Sequence, residues 1–253
     1  MNEPLNDNDV KQSYADKVSK HSDINSVLDA GDNPVSKRVN VLHDYFSKRN
    51  LLNHLKPKKN DVILDFGTGV GRLSSFISNK CSKVHGVDAS PEMIKVAEKN
   101  KDKRNDKTKY HAIECHILPF QDNTFDKAFA YWVLASISNT MLEKIIPEIY
   151  RVMKPGSKFY FFEQIKQESS YEQNIHKKRT IEEYQALCQT SGFVFKFSKP
   201  VQRMPSYAIH YWKKFHWLGK GFLPLLYRFE KLTLKRKTRF VDYYTQVFVF
   251  QKK

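Results

Sequence analysis

The sequence predicts an α/β protein: a doubly wound, mostly parallel sheet with helices on both faces. Three observations carry this. Val62-Ile63-Leu64 is a continuous apolar run, the pattern of a central strand covered on both sides. The run ends in Asp65 and a turn containing Gly67, Gly69 and Gly71, after which a helical pattern begins. Short apolar strands then alternate with helical stretches to the end of the chain, as parallel strands joined by crossover helices require.

In chain order, residues 1–36 lack clean periodicity and carry Pro4, Gly31 and Pro34, so they are expected to form a loose N-terminal segment or cap. From Ser36 to Leu55 a helix is expected, with Val39, Leu42, Phe46 and Leu51-Leu52 recurring on one side. Lys56-Pro57 stops it. A helix from about residue 70 to 79 follows the glycine turn, and Lys83 to Val87 reads as the second strand. Ser90-Pro91-Glu92 then opens a helix in good order, with a capping hydroxyl, a proline in the first turn and an acid at the positive end.

Tyr110–Glu114 reads as a third strand and Phe125–Val133 as a fourth. A helix from Met141 to Met153 is closed by Lys154-Pro155-Gly156, and Lys158–Glu163 gives a fifth strand. A helix from Thr180 to Ser191 leads to a sixth strand, Phe193–Phe197, and Val241–Phe250 is the last.

An insertion of about residues 200–239 separates those final two strands. It combines many cations, Arg203, Lys213, Lys214, Lys220 and Arg228 among them, with a single acid, Glu230. Tyr207, Tyr211, Trp212, Trp217 and Phe222 are among its interleaved aromatics, and two short helices dividing near Gly219-Lys220-Gly221 are expected.

Composition narrows the function classes. With 253 residues, 40% hydrophobic and 28% charged, the chain suits one elaborated globular domain. No apolar run approaches the ~20 residues of a membrane-spanning helix. The start, Met1-Asn2-Glu3-Pro4, lacks the basic and apolar regions of a secretion signal, so a cytoplasmic protein is expected. Cys81, Cys115 and Cys188 are widely spaced and odd in number, giving neither metal spacing nor a disulfide framework. The net charge of +16 favours anionic company: nucleic acid, a phospholipid surface or an acidic substrate.

The glycine turn and a second acid define the candidate site. Asp88 stands at the carboxyl end of the second strand, about 20 residues past the glycines, where an acid in a doubly wound sheet can accept from both ribose hydroxyls. A dinucleotide fingerprint runs G-x-G-x-x-G and seats a pyrophosphate. Here the run is Asp65-x-Gly67-x-Gly69-x-Gly71, and a carboxylate in that place repels pyrophosphate and attracts an amino group.

With D-F-G-T-G-V-G at 65–71, G-V-D-A-S-P-E-M at 86–93, L-P-F-Q-D-N-T-F-D at 118–126 and R-V-M-K-P-G-S at 151–157, the chain resembles the class I S-adenosylmethionine-dependent methyltransferases of the small-molecule type. The resemblance covers roughly residues 40 to 200. It implies a methyltransferase domain over residues 37–253 with a seven-stranded sheet in the order 3-2-1-4-5-7-6. It also implies S-adenosyl-L-methionine as cofactor and no metal.

The resemblance further implies roles. Gly67 and Gly69 let the backbone pass beside the methionine portion, Asp65 orients its amino end directly or through water, Asp88 holds the ribose, and Gly71 and Ala89 are further cofactor-binding positions. Met93 either covers an adenine face or belongs to the core. Glu114 and Cys115 take the adenine-binding places, where family members more often carry aspartate and alanine. Tyr131 and Trp132 meet cofactor and acceptor, as positioning residues. Many relatives carry a histidine near Ala135 and Ser136; in its absence either the acceptor needs only a weak base or a base comes from elsewhere, such as His43, His210 or His216.

Tyr207, Tyr211, Trp212 and Arg203 are expected in a substrate cap; the alternative is a pair of amphipathic helices packed on the domain. The leading functional reading is transfer, foremost to a hydroxyl, on an anionic, lipid-linked or glycan-linked small acceptor. An RNA methyltransferase is the second reading, and a non-catalytic binding protein on the same fold the third. Contact with the inner membrane surface is a further expectation, from Leu218, Phe222, Leu223, Leu225 and Leu226 beside lysines.

Overall fold

The computed structural model describes residues 10, 12–13, 16, 34–101, 107–114, 116–165, 170–172, 176–204, 206–234 and 243–253. Helix α1 (Pro34–Leu55) leads into β1 (Val62–Phe66), α2 (Arg72–Ser78), β2 (Lys83–Asp88), α3 (Pro91–Asn100), β3 (Thr108–Ala112) and β4 (Phe125–Tyr131). Then come α4 (Asn139–Val152), β5 (Met153–Ile165), a hairpin of β6 (Ser170–Glu172) and β7 (His176–Lys178), and α5 (Ile181–Gln189). The chain closes with β8 (Val194–Met204), α6 (Tyr207–Phe215), α7 (Leu223–Thr233) and β9 (Tyr243–Gln251).

Seven strands form one sheet in the order β3-β2-β1-β4-β5-β9-β8. Counting only these seven, the order is the expected 3-2-1-4-5-7-6. β1 to β5 pair in parallel and β9 runs antiparallel to both neighbours. One face is covered by α4 and α5, whose Leu142, Ile146, Ile149, Tyr184 and Cys188 pack against Leu64, Ala128, Phe159 and Phe161. The other is covered by α1 and α2, through Leu51, Leu55, Leu73 and Ile77 against Ile63, Val84 and Phe129. Two covered faces explain why the central strands are apolar without alternation.

Local signals set several boundaries. Ser90 caps α3, its hydroxyl accepting from Met93 N at 3.2 Å, with Pro91 in the first turn. Thr180 and Glu183 form a reciprocal capping box at the start of α5. β4 ends two residues earlier than expected because Trp132 takes a left-handed conformation, φ 57°, which no strand continues through. β5 begins at Met153, directly after α4, and β8 extends to Met204, into the stretch expected to be insertion. The β6–β7 hairpin was not expected. Cys81 and Cys188 are buried free thiols, and burial pushes the Cys81 thiol up to about 11.

Candidate active site at the carboxyl edge of the sheet

The turn after β1 is built from three left-handed residues, Gly67 (φ 73°), Gly69 (φ 54°) and Gly71 (φ 75°). An L side chain is strained in that region, and two of the three positions are also filled from outside. A Cβ on Gly67 would lie 2.4 Å from the Val133 methyls, and one on Gly71 2.4 Å from the Tyr110 hydroxyl. Gly71 thus makes room for Tyr110, whose Oη donates to Gly71 O at 3.2 Å and bonds Ser75 at 3.0 Å.

Beside the turn lies a cavity of about 250 Å³, lined by Asp65, Gly67, Gly69, Asp88, Ala89, Met93, Glu114, Tyr131 and Trp132 among others. All nine are residues expected at the site. Gly71 is not on its wall, and Cys115 lies outside the described residues. The wall also carries Val133 and Ser136, from the stretch after Trp132, and residues not assigned to the site from sequence: Val10 from the N-terminal segment, Arg72, Ile137, Met141 and Ile145.

The two acids are held differently. Asp65 is buried, and its Oδ2 accepts from Ser74 Oγ at 2.6 Å and Thr68 Oγ1 at 2.9 Å. Burial outweighs both hydroxyls and lifts its carboxyl to about 6. Asp88 is half-buried and tied to main chain, Oδ2 accepting from Gly69 N at 2.8 Å and Oδ1 from Ser90 N at 3.0 Å. Asp88 therefore fixes the glycine turn as well as facing the cavity. Arg72 places a cation on the same wall, paired with Asp44 at 2.9 Å.

At the end of β4, Tyr131 and Trp132 present two buried polar atoms, Tyr131 Oη and Trp132 Nε1, that have no hydrogen-bond partner. Leaving such a group unsatisfied costs about 1–3 kcal/mol. Trp132 is also the only non-glycine at the cavity among the described residues with positive φ. Strain and unsatisfied donors on one wall are features of binding sites more than of packing.

The segment after Trp132 is clamped by two buried side chains. Glu163, at the end of β5, accepts from Val133 N at 2.8 Å and Leu134 N at 2.7 Å through Oε1, and burial pushes its carboxyl up to about 7. Arg179, fully buried, donates to Leu134 O at 2.8 Å, Ile137 O at 2.7 Å and Asn139 Oδ1. Together they fix the backbone that carries Val133, Ser136 and Ile137 to the cavity.

Of the three candidate bases, none lines the cavity. His43 packs edge-on against Trp132 with ring centroids 5.5 Å apart, and burial holds it down to about 4, so it is neutral. His210 is exposed on α6, and His216 begins the turn after it. The histidine near the cavity is another one: His176 Nδ1 is 2.8 Å from the cavity-lining Ser136 Oγ. Forty residues separate the two, and the unforeseen β6–β7 hairpin brings them together.

The expected substrate cap is corrected by the packing. Trp212 is buried with Leu42, Phe46, Ala208, Leu223 and Leu226 between α1 and the insertion, and its Nε1 donates to Arg38 O at 2.7 Å. Arg203 lies in β8, its N donating to Glu230 Oε1 at 2.8 Å and its guanidinium to Thr233 Oγ1. Tyr211 is 41% exposed and meets the Phe229 ring. Tyr207 opens α6, and its side chain lies outside the described residues. Neither Arg203, Tyr211 nor Trp212 lines the cavity, because α1 needs an apolar partner along Leu42 and Phe46 and the insertion supplies it.

Residues 64–161 match the family model described as a methyltransferase domain. The chain is 32% identical over 136 residues to a sterol 4-C-methyltransferase of Caenorhabditis elegans, covering 53% of this chain and 40% of that protein. It is 31% identical over 103 residues to phosphoethanolamine N-methyltransferase 2 of the same organism, covering 40% of this chain and 23% of that one. It therefore spans less than half the length of either relative.

In fold it is similar to geranyl diphosphate C-methyltransferase from Streptomyces coelicolor, solved with Mg2+, geranyl diphosphate and S-adenosyl-L-homocysteine. The TM-score is 0.68 at 12% identity, covering 96% of this chain and 98% of that one. With the glycine turn, the two acids and the strand order in place, residues 64–161 of this chain match a methyltransferase domain, and the chain shares its fold with that solved methyltransferase.

Proposed function

We propose that this protein transfers a methyl group from S-adenosyl-L-methionine to a hydroxyl of a small acceptor with a hydrocarbon body. The observation that carries the reading is that Asp65, Gly69 and Asp88 line one cavity together with the unsatisfied Tyr131–Trp132 edge. Asp88 suits the ribose hydroxyls and Ala89 and Met93 the adenosine, with Glu114 at the adenine amino group. Asp65 and Arg72, an acid and a base on one wall, match the ammonium and carboxylate of the amino-acid end.

When bound, the cofactor supplies an electrophilic methyl on sulfur, and the protein's work is alignment. Tyr131 and Trp132 position the acceptor oxygen. Methylation of a hydroxyl would release the hydroxyl proton, which the protein would have to take up. The Ser136–His176 pair is the group placed to take it. A pH–rate profile that loses its acid limb in His176→Gln would support this role, and an unaltered profile would remove it.

Val10, Ile137, Met141 and Ile145 favour a lipid-like acceptor over a nucleobase, and Arg72 is the single cation among the described lining residues. An anionic group on the acceptor is thus expected near Arg72 or outside the cavity. RNA remains the second reading, supported by the +16 charge.

Calorimetric titration of the full chain with S-adenosyl-L-homocysteine tests the cofactor, and Asp88→Ala is expected to weaken binding about 10- to 100-fold by removing charge-assisted hydrogen bonds. Absence of binding at millimolar ligand overturns the reading. Tritiated-methyl transfer onto RNA, lipid, glycan and small-metabolite pools of a cell extract then reads the acceptor class. Label in the RNA pool alone would replace the leading reading by the second.

A further inference from the structure

One surface of the insertion serves neither the cavity nor the packing on α1. From Ser206 to Leu234 the only acid is Glu230, fully buried, with its two oxygens accepting from Arg203 N and Ser206 Oγ. Lys231 turns inward, donating to Asn50 Oδ1 and Val201 O. Lys213, Lys214, Lys220 and Arg228 are exposed, so this surface is cationic with no carboxylate of its own.

Large apolar side chains stand among those cations. Trp217 is 71% exposed, Leu218 45%, Leu225 60% and Leu232 80%. On α7, Leu223, Leu226 and Glu230 form the buried stripe, while Leu225, Arg228 and Leu232 repeat the same spacing on the opposite side. The helix thus has a second apolar face that the fold leaves uncovered. Trp217 and Leu218 sit in the tight turns between α6 and α7, where a Cβ added at Gly219 or Gly221 would meet nothing within 4 Å. The backbone at Gly219 and Gly221 is therefore open on its outer side.

We propose that this turn and the outer face of α7 dock on an anionic phospholipid bilayer. Trp217, Leu218, Leu225 and Leu232 enter the boundary between headgroups and acyl chains, and Lys213, Lys214, Lys220 and Arg228 lie against lipid phosphates. An indole suits that boundary, and leucines flanked by lysines are the composition of helices that lie in its plane. Nucleic acid fits less well, because three of the four exposed apolar groups are leucines, which give a base no π-face to stack on. A second copy fits less well too: a two-fold interface sets each patch against itself and brings four cations against four.

The test is co-sedimentation of the full chain with phosphatidylcholine vesicles prepared with and without phosphatidylglycerol, at low and high salt. It needs neither cofactor nor acceptor, so its failure leaves the methyl-transfer reading untouched. Binding is expected with the anionic vesicles, weakened by salt, with the tryptophan emission shifting to the blue. Trp217→Phe should abolish the shift, since Trp212 is already buried and Trp132 lies at the cavity.

The double variant W217S/L225S is expected to bind at least 10-fold more weakly. K213A/K214A/K220A should lose about fivefold per cation, the equivalent of ~1 kcal/mol each near an anionic surface. All of these side chains are exposed, so circular dichroism and thermal midpoint should be unchanged. Equal binding to neutral and anionic vesicles, or binding unaltered in both variants, overturns the proposal. So does a dimer in sedimentation velocity that disappears in W217S/L225S while vesicle binding is absent.

Discussion

The glycine turn at 67–71 and the turn at Gly219–Gly221 are both glycine-rich chain reversals, yet they are built for opposite reasons. In the first, two of the three missing Cβ positions are occupied from outside: Val133 fills the space over Gly67 and Tyr110 the space over Gly71. In the second, nothing approaches Gly219 or Gly221. Glycine in one place permits close packing around a cavity; in the other it permits only a turn. What distinguishes them is the far side of the contact, and that is contributed by residues remote in sequence.

The largest effect expected from this contrast is at Gly67. Gly67→Ala combines left-handed strain with a methyl driven into Val133, each costing about 1–3 kcal/mol, so a loss of roughly 2–6 kcal/mol is expected by chemical denaturation. The same change at Gly221 should stay within about 0.5 kcal/mol. Comparable losses at both positions would mean that the second turn is packed against something after all.

Next in size is Trp212→Ala, which removes a buried indole and its bond to Arg38 O, for about 3–5 kcal/mol of stability. If Trp212 instead enclosed an acceptor, the stability loss would be small and KM would rise.

The two turns also explain what could be read in advance. Asp65, the glycines and Asp88 announce themselves because backbone conformation and strand ends are local matters, and a few adjacent residue types constrain them. Ser90 as a cap is legible for the same reason. The Glu163–Arg179 clamp and the approach of His176 to Ser136 are tertiary facts. The interleaved aromatics of the insertion were compatible with a cap or with packing, and only the apolar stripe of α1, seen together with Trp212, decides between them.

A third effect concerns pH. Burial raises the folded-state Asp65 carboxyl to about 6, against an ordinary 3.8, so its favourable contribution is fully present below about pH 4 and lost as pH rises through 6. Asp65→Asn removes that loss. The unliganded variant should be about 2–3 kcal/mol more stable than the wild type at pH 8 and no different at pH 4, by the linkage of ~1.4 kcal/mol per pKa unit.

Glu163, raised to about 7 by burial, titrates across the same window, so the quantity to read is the difference between variant and wild type, not the wild-type curve alone. Affinity for the cofactor should run the other way. An ammonium beside Asp65 needs the carboxylate, so wild-type affinity rises with pH up to about 6 and then levels, whereas Asp65→Asn stays weak and flat. An affinity of the wild type that ignores pH between 5 and 7 would separate Asp65 from the ammonium.

The smallest effect is at Tyr211, the residue directly before Trp212 but on the outer side of α6. Its ring is 41% exposed and meets Phe229 edge-on at 5.4 Å, a contact worth about 0.5–1.5 kcal/mol at most when buried and less here. Tyr211→Ala should therefore change stability by under ~1 kcal/mol and leave both cofactor affinity and methyl transfer unchanged, while Trp212→Ala falls in stability. The paired measurement asks whether the insertion is a wall of the fold or a lid over the cavity. Should Tyr211→Ala raise KM at full stability, α6 would have to move during turnover so that its outer face reaches the acceptor, and the packing on α1 would be one of two positions it takes.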